Sequence, residues 1–128
     1  MALEMEKTMW KKFDISTTTD TIDNLSLQII YIKGYLDSST FPQIQDHLQN
    51  LIDQGNYWII VEFSQLNYIS SAGLGVLMGM LQEVRNHDGD LKLANMSPKI
   101  QNLFDMLGFS RLIRIYPSID AAKQAFVE

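Results

Sequence analysis

Two serines stand side by side at Ser70 and Ser71, directly before Ala72-Gly73-Leu74-Gly75, where a strand-like run ends and helical spacing begins. A hydroxyl in that position can act as a nucleophile, cap a helix, or accept a phosphoryl group. The nucleophile needs a sharp elbow and a base. A hydrolase elbow wants glycine two residues before and two after the serine; Ser71 has Ile69 and Gly73, so half of it is missing. The two histidines, His47 and His87, are distant in sequence and fall on or just after amphipathic segments, which predicts solvated surface imidazoles, and no Ser-His-Asp set can be assembled from them. No catalytic residue is assigned, and the chain is read as a binding protein. Gly73-Leu74-Gly75 imitates the start of a dinucleotide fingerprint, but Met78 occupies the third glycine position, so no nucleotide cofactor is expected. With no cysteine, thiolate metal sites and disulfides are excluded, and no metal or other cofactor is called for. Capping and phosphoryl acceptance remain. Serine is a common N-cap because its oxygen accepts an otherwise unpaired amide. A phosphate at the same place would meet those amides and the positive end of the helix dipole. The residues alone favour the cap. A second polar turn, Gly34 to Thr40, offers Asp37 and Ser38, where the carboxylate is either a turn former or a partner contact.

The composition limits what could meet these hydroxyls. A formal charge of −5 and a pI near 4.9, with no local cluster of lysine and arginine, disfavour nucleic acid as a partner. Glu4, Glu6 and Lys7 interrupt the N-terminal segment where a secretory signal needs an apolar run, and no stretch reaches the ~18 apolar residues that span a bilayer. A cytoplasmic protein without a membrane partner is expected. At 128 residues and 46% hydrophobic content the chain is sized for one domain over residues 1–128, with residues 1–12 as an N-terminal extension.

The elements that must hold the serines follow from periodicity. Phe13 to Ser16 and Leu25 to Ile32 alternate as strands, joined as a hairpin through the polar Thr19 to Asn24. Ile44, Leu48, Leu51 and Ile52 recur at helical spacing after Pro42, with Ser39 or Thr40 as cap and Gly55 beyond the end. Tyr57 to Phe63 reads as a central strand covered on both faces. The next helix runs from about Ser71 to Arg85 and buries Leu74, Leu77, Met78, Leu81 and Val84; Val76 and Met80 lie off that stripe, as core or as interface. Asp88-Gly89 turns into the strand Leu91 to Ala94. Ser97-Pro98 opens a helix that stops at Gly108 in a left-handed cap. Ile113 to Tyr116 is a last strand, and Ser118 caps a closing helix to about Val127. The order β-β-α-β-α-β-α-β-α predicts an α/β fold, a mixed β-sheet with packed helices, because strands separated by helices of this length pair in parallel.

Val61-Glu62-Phe63-Ser64-Gln65-Leu66-Asn67-Tyr68-Ile69-Ser70-Ser71-Ala72-Gly73-Leu74-Gly75 resembles the signature of the STAS family, and Lys33-Gly34-Tyr35-Leu36-Asp37 resembles its second hallmark, Gly-x-Leu-Asp. The likeness extends in element order over roughly residues 13 to 127 and is strongest to bacterial anti-sigma factor antagonists. In that group a serine at the start of this helix is phosphorylated by a partner that is both anti-sigma factor and serine protein kinase, and a serine phosphatase reverses the change; only the unmodified form binds the partner. The resemblance therefore implies Ser71 as the phosphorylation site. The family often has an aspartate immediately before its acceptor and this chain has Ser70, which makes Ser70 the alternative. By the same likeness Asp37, Ser38, Ser70, Ser71, Gly73, Leu74 and Val76 are the expected partner-binding residues. The alternative function is a STAS scaffold that binds a partner without phosphorylation.

Overall fold

The computed structural model describes residues 13–128; the expected N-terminal extension, residues 1–12, lies outside the described residues. Strands β1 (Phe13–Ile22) and β2 (Leu25–Leu36) form an antiparallel hairpin in register from Phe13 opposite Gly34 to Ile22 opposite Leu25. The hairpin is longer than the alternating apolar residues predict, since β1 runs on through Thr17 and Thr18 to Ile22 and takes in Thr19 to Thr21, expected in the connection. Threonine is a good strand former on a half-exposed surface, so its polarity misleads. The loop shrinks to Asp23-Asn24, both at positive φ (49° and 68°), as a two-residue turn matched to the twist of the strands requires.

Helix α1 (Phe41–Asp53) leads to β3 (Trp58–Ile69), α2 (Ser71–Asn86), β4 (Asp90–Ala94), α3 (Pro98–Met106), a 3₁₀ turn (Phe109–Arg111), β5 (Ile115–Tyr116) and α4 (Ile119–Val127). The sheet order is β1-β2-β3-β4-β5, with the last three pairings parallel. This is the expected α/β architecture and element order. The caps also fall where expected: Ser97 Oγ accepts from Ile100 N–H at 3.3 Å, Ser118 Oγ from Ala121 N–H at 3.0 Å, and Gly108 takes φ 79° just after α3.

Alternation along the strands divides the core in two. Ile30, Ile32, Ile59, Val61, Phe63, Leu91 and Leu93 face the layer made by α1, α2 and α3, while Leu27, Ile29, Ile60 and Ala94 face α4 through Ile119, Ala122 and Phe126. Burial on both sides explains why the middle of β3 reads as a continuous apolar run. Past Phe63 the strand outlasts β4, and its last residues pair with β2 alone, Gln65 opposite Lys33 through Ile69 opposite Leu36, across two register shifts near Gly34. Gly34 has φ 99°, which a side chain resists and a bulge here uses. The strand extension carries the chain to Ser70.

Candidate functional site

The two turns singled out by sequence meet at the tip of the β2–β3 pair. Ser70 N–H donates to the Leu36 carbonyl at 2.8 Å, and Asp37 follows Leu36 directly, so the hinge into α2 is tied to the hinge into α1. Ser70 is the N-cap of α2: its backbone is extended (φ −96°, ψ 172°) and its Oγ accepts the Gly73 N–H at 3.4 Å. Ser71 is the first helical residue. It is exposed, and among the described residues its hydroxyl has no hydrogen-bond partner. Capping and availability are therefore split between neighbouring serines. The first-turn amides and the dipole of a sixteen-residue helix lie beneath a free hydroxyl.

Gly73 is fixed by packing. A Cβ there would lie 2.8 Å from Leu36 Cγ and 3.1 Å from both Leu36 Cδ2 and Ile69 Cγ1, so α2 can approach the strand tips this closely only without a side chain. Leu74 and Val76 are buried in the core, as is Met80, while Met78 is half-buried at its edge. The side chains of Leu74 and Val76 therefore point into the core, and Gly73, which has none, is packed against Leu36 and Ile69, so these three of the expected partner-binding residues offer a partner little surface. Seven of the sixteen residues of α2 are buried, a face wider than the stripe read from spacing, and it takes in Val76 and Met80. Those three residues set the position of the helix start, and the surface is left to others. Gly75 and Gly79 are exposed with open space where a Cβ would stand, so Ser71, Gly75 and Gly79 make a flat strip one helical face wide.

Asp37 organises its own turn. Oδ1 accepts Ser39 N–H at 2.9 Å and Ser39 Oγ–H at 2.7 Å, while the buried Thr40 Oγ–H donates to the Tyr35 carbonyl at 2.7 Å, lies 3.3 Å from Asp37 Oδ1, and accepts the Asp37 N–H at 2.9 Å. The hydrogen bonds from Ser39 hold this carboxyl below its usual pKa, which keeps it charged. Thr40 is the N-cap of α1 by position, yet its hydroxyl serves the turn rather than the helix amides. Ser38 is exposed at the crest.

Spacing gave no hint of an aromatic pair at the tips of β2 and β3. Tyr35 and Tyr68 share a rung of the β2–β3 ladder, one residue before Leu36 and Ile69; they are 48% and 43% exposed with ring centroids 6.4 Å apart. Alternation turns both rings away from Leu36 and Ile69, toward the opposite face of the sheet, where two exposed tyrosines suit protein recognition because each supplies apolar area and a polar tip. Glu62 serves a different purpose. It is buried, and accepts from Ser64 N–H (2.6 Å), Ser64 Oγ–H (2.9 Å) and Asn95 Nδ2 (3.0 Å), which satisfies the carboxylate and ties β3 to the end of β4. His47 is not a solvated surface imidazole as spacing suggested: it is half-buried and hydrogen-bonded to the Thr17 hydroxyl, and burial lowers its pKa. His87 is exposed and stacks on Tyr57 at 4.3 Å. Among the described residues no cluster of histidine, cysteine, aspartate and glutamate could hold a metal, and no helix is long and apolar enough to cross a membrane.

Known proteins resemble this chain in sequence and in fold. BtrV of Bordetella bronchiseptica is 30% identical over 109 residues, covering 85% of this chain and 92% of that protein. The anti-sigma-B factor antagonist of Staphylococcus epidermidis is 27% identical over 96 residues, 75% of this chain and 89% of the other. Among solved structures, an anti-sigma factor antagonist from Mycobacterium paratuberculosis superposes with a TM-score of 0.77 at 16% identity, over 90% of this chain and 96% of that one. The anti-sigma factor antagonist SpoIIAA, solved in its unphosphorylated form, superposes with a TM-score of 0.65 at 23% identity, over 88% of this chain and 97% of its own. The same Bacillus protein has been solved in its phosphorylated form, where the TM-score is 0.63. The model of the STAS domain matches residues 16–122, and with the relatives above this places the chain in the STAS family, as a domain of the anti-sigma factor antagonist type.

Proposed function

We propose that this protein is a phosphorylation-switched binding protein. Unmodified, it binds an anti-sigma factor that is also a serine kinase; a phosphoryl group on Ser71 ends the interaction, and a serine phosphatase restores it. It works in the cytoplasm and catalyses nothing itself. The observation that carries the reading is the division between the serines: Ser70 holds the cap, and Ser71 presents a free, exposed hydroxyl at the first helical position. SpoIIAA, a relative in fold, has been solved in both an unphosphorylated and a phosphorylated form.

Transfer of the γ-phosphoryl group of ATP to Ser71 Oγ, with loss of the hydroxyl proton, adds roughly −1.5 to −2 charges at neutral pH. The helix amides and dipole tolerate that charge within the domain. A partner surface fitted to a neutral hydroxyl does not, and an uncompensated charge in an interface costs ~2–4 kcal/mol, or about 30- to 1000-fold in affinity. The partner surface would comprise Ser71 and the Gly75–Gly79 strip, with Asp37 and Ser38 on the adjoining turn. The test takes the cognate kinase and ATP, peptide mass spectrometry, and calorimetric titration of Ser71→Glu and Ser71→Ala. Phosphate on Ser71, loss of binding in Ser71→Glu with an unchanged circular dichroism spectrum, and binding that cannot be switched off in Ser71→Ala are expected. Phosphate on Ser70 alone, or equal affinity of Ser71→Glu and the parent, overturns the switch. Binding with no phosphate on either serine would favour a scaffold without phosphorylation, the reading that Ser70 in place of the usual aspartate supports.

A further inference from the structure

The chain has three arginines, Arg85, Arg111 and Arg114, and the fold brings all of them to one corner, where α3 connects to β5. Arg85, in the last turn of α2, is fixed there: its Nε donates to Asp90 at 3.0 Å and its Nη1 to the Leu112 carbonyl at 3.1 Å. Arg111 and Arg114 flank Leu112, are exposed, and among the described residues form no ion pair. The same nine-residue stretch displays large apolar side chains to solvent, Met106 at 82% exposure and Leu107 and Leu112 at 55% each. This is a built corner. Gly108 turns left-handed after α3, Ser110 Oγ donates to Asp105, and Leu112 and Ile113 N–H both reach the Phe109 carbonyl. Ile113 is buried, Phe109 packs on the core, and the Arg114 carbonyl accepts the Leu93 N–H at 3.0 Å. Anchored on both sides, the three apolar side chains stay in water, and exposed apolar clusters rimmed by polar groups mark interaction surfaces.

Charge selects the occupant. With Arg85 matched by Asp90, Arg111 and Arg114 outnumber the one further carboxylate, Asp105, so the corner is net positive by one charge on a molecule whose formal charge is −5 and favours an acidic partner. A second copy meeting it across a two-fold axis would set Arg111 and Arg114 against their own kind. An anionic membrane asks for about four to eight lysines and arginines, more than this corner holds. We propose that the Met106–Arg114 corner is a second docking surface, for an acidic segment of a partner protein that carries apolar anchors. Ser71 lies fourteen residues from Arg85 along α2, about 21 Å at 1.5 Å per residue, so the two surfaces can be occupied together and this one does not depend on the phosphorylation reading.

The experiment is an amide NMR titration of the ¹⁵N-labelled full chain with a synthetic amphipathic helix bearing leucines on one face and glutamates on the other, against the same peptide with lysines for glutamates. Shifts confined to Arg85 and residues 105–114 are expected, weakening as salt is added. The double variant Arg111→Glu, Arg114→Glu should bind at least about tenfold more weakly. Leu112→Ser should lose the shifts while melting like the parent, and Ser71→Glu should leave them unchanged. Absence of shifts, equal shifts from the lysine peptide, or shifts centred on Ser71 overturn the proposal. So does a dimer in sedimentation equilibrium that Leu112→Ser abolishes, or binding to phosphatidylserine vesicles that exceeds binding to the peptide.

Discussion

Gly73 and Gly79 lie on one helix, and alanine at the two positions should act in opposite directions. In a helix, alanine is favoured over glycine by roughly 1 kcal/mol, a gain common to both substitutions to first order. At Gly79 nothing lies within 4 Å of the added carbon, so Gly79→Ala should stabilise by about 0.5–1 kcal/mol. At Gly73 the methyl would sit 2.8 Å from Leu36 Cγ, with Leu36 Cδ2 and Ile69 Cγ1 both at 3.1 Å. Leu36 and Ile69 are buried, and Leu36 also holds the Ser70 amide through its carbonyl, so neither side chain has room to withdraw. Overpacking of that kind costs ~1–3 kcal/mol. Taking the difference between the variants cancels the propensity term and leaves Gly73→Ala about 1–3 kcal/mol below Gly79→Ala. Urea unfolding reads this directly: with an m-value near 2 kcal/mol per molar, the midpoints should differ by about 0.5–1.5 M. Equal midpoints would refute the claim that α2 is docked on the strand tips at the distance its glycine permits.

Three further outcomes follow from the same geometry. Ser70→Ala should cost about 1 kcal/mol by removing a cap, while Ser71→Ala stays within about 0.5 kcal/mol of the parent in chemical denaturation; a reversed order would mean that the serines have exchanged roles. His47, whose folded pKa lies below its usual value near 6.5 because burial disfavours the charged ring, contributes stability that is present above the unfolded pKa and lost as pH falls through the folded one. Unfolding midpoints should therefore fall less between pH 7.5 and 5.5 in His47→Gln than in the parent, and parallel curves would contradict this. Asp90→Ala should cost about 2–3 kcal/mol because Lys92, buried with its ammonium 2.8 Å from Asp90 and 4.6 Å from the Phe126 ring centre, loses its counter-ion. Lys92→Met keeps the apolar stem and should cost less, so the reverse order of melting temperatures would refute the pairing.

The fold was legible because apolar periodicity survives wherever one face is buried. The helices, the parallel pairing and the hairpin all follow from it. Boundaries failed where polarity and backbone state disagree: Thr17 to Thr21 are strand although every side chain is polar, and Ser64 to Asn67 continue β3 with Leu66 as the single apolar residue among them. β5 is two residues long instead of four because the Ile113 N–H is held by the Phe109 carbonyl behind the 3₁₀ turn, and the pairing with β4 begins only at Ile115 opposite Leu93. His47 was misread because its environment is made by Thr17, thirty residues away, and no local pattern reports that contact.

At the site, the motif located the turn but could not divide the work within it. Ser70-Ser71 in sequence offers two equivalent hydroxyls. What separates them is the Leu36 carbonyl, which fixes the Ser70 amide and with it the extended backbone that an N-cap needs. The consequence reaches beyond the cap. If Ser71 capped the helix, its oxygen would be committed to an amide, and phosphorylation would have to break that bond and loosen the first turn. With Ser70 capping, the Gly73 amide remains satisfied whether or not Ser71 is modified, and a phosphate would change the surface while the helix start stays in place. Gly73 contributes by holding that start against Leu36 and Ile69, and Gly75 and Gly79 contribute by keeping the strip below Ser71 flat. Glycines that cost helix stability inside the free chain have no partner there to offset them. Under the proposed switch, a protein laid along the strip would supply the missing contacts and cover the free hydroxyl at the same time.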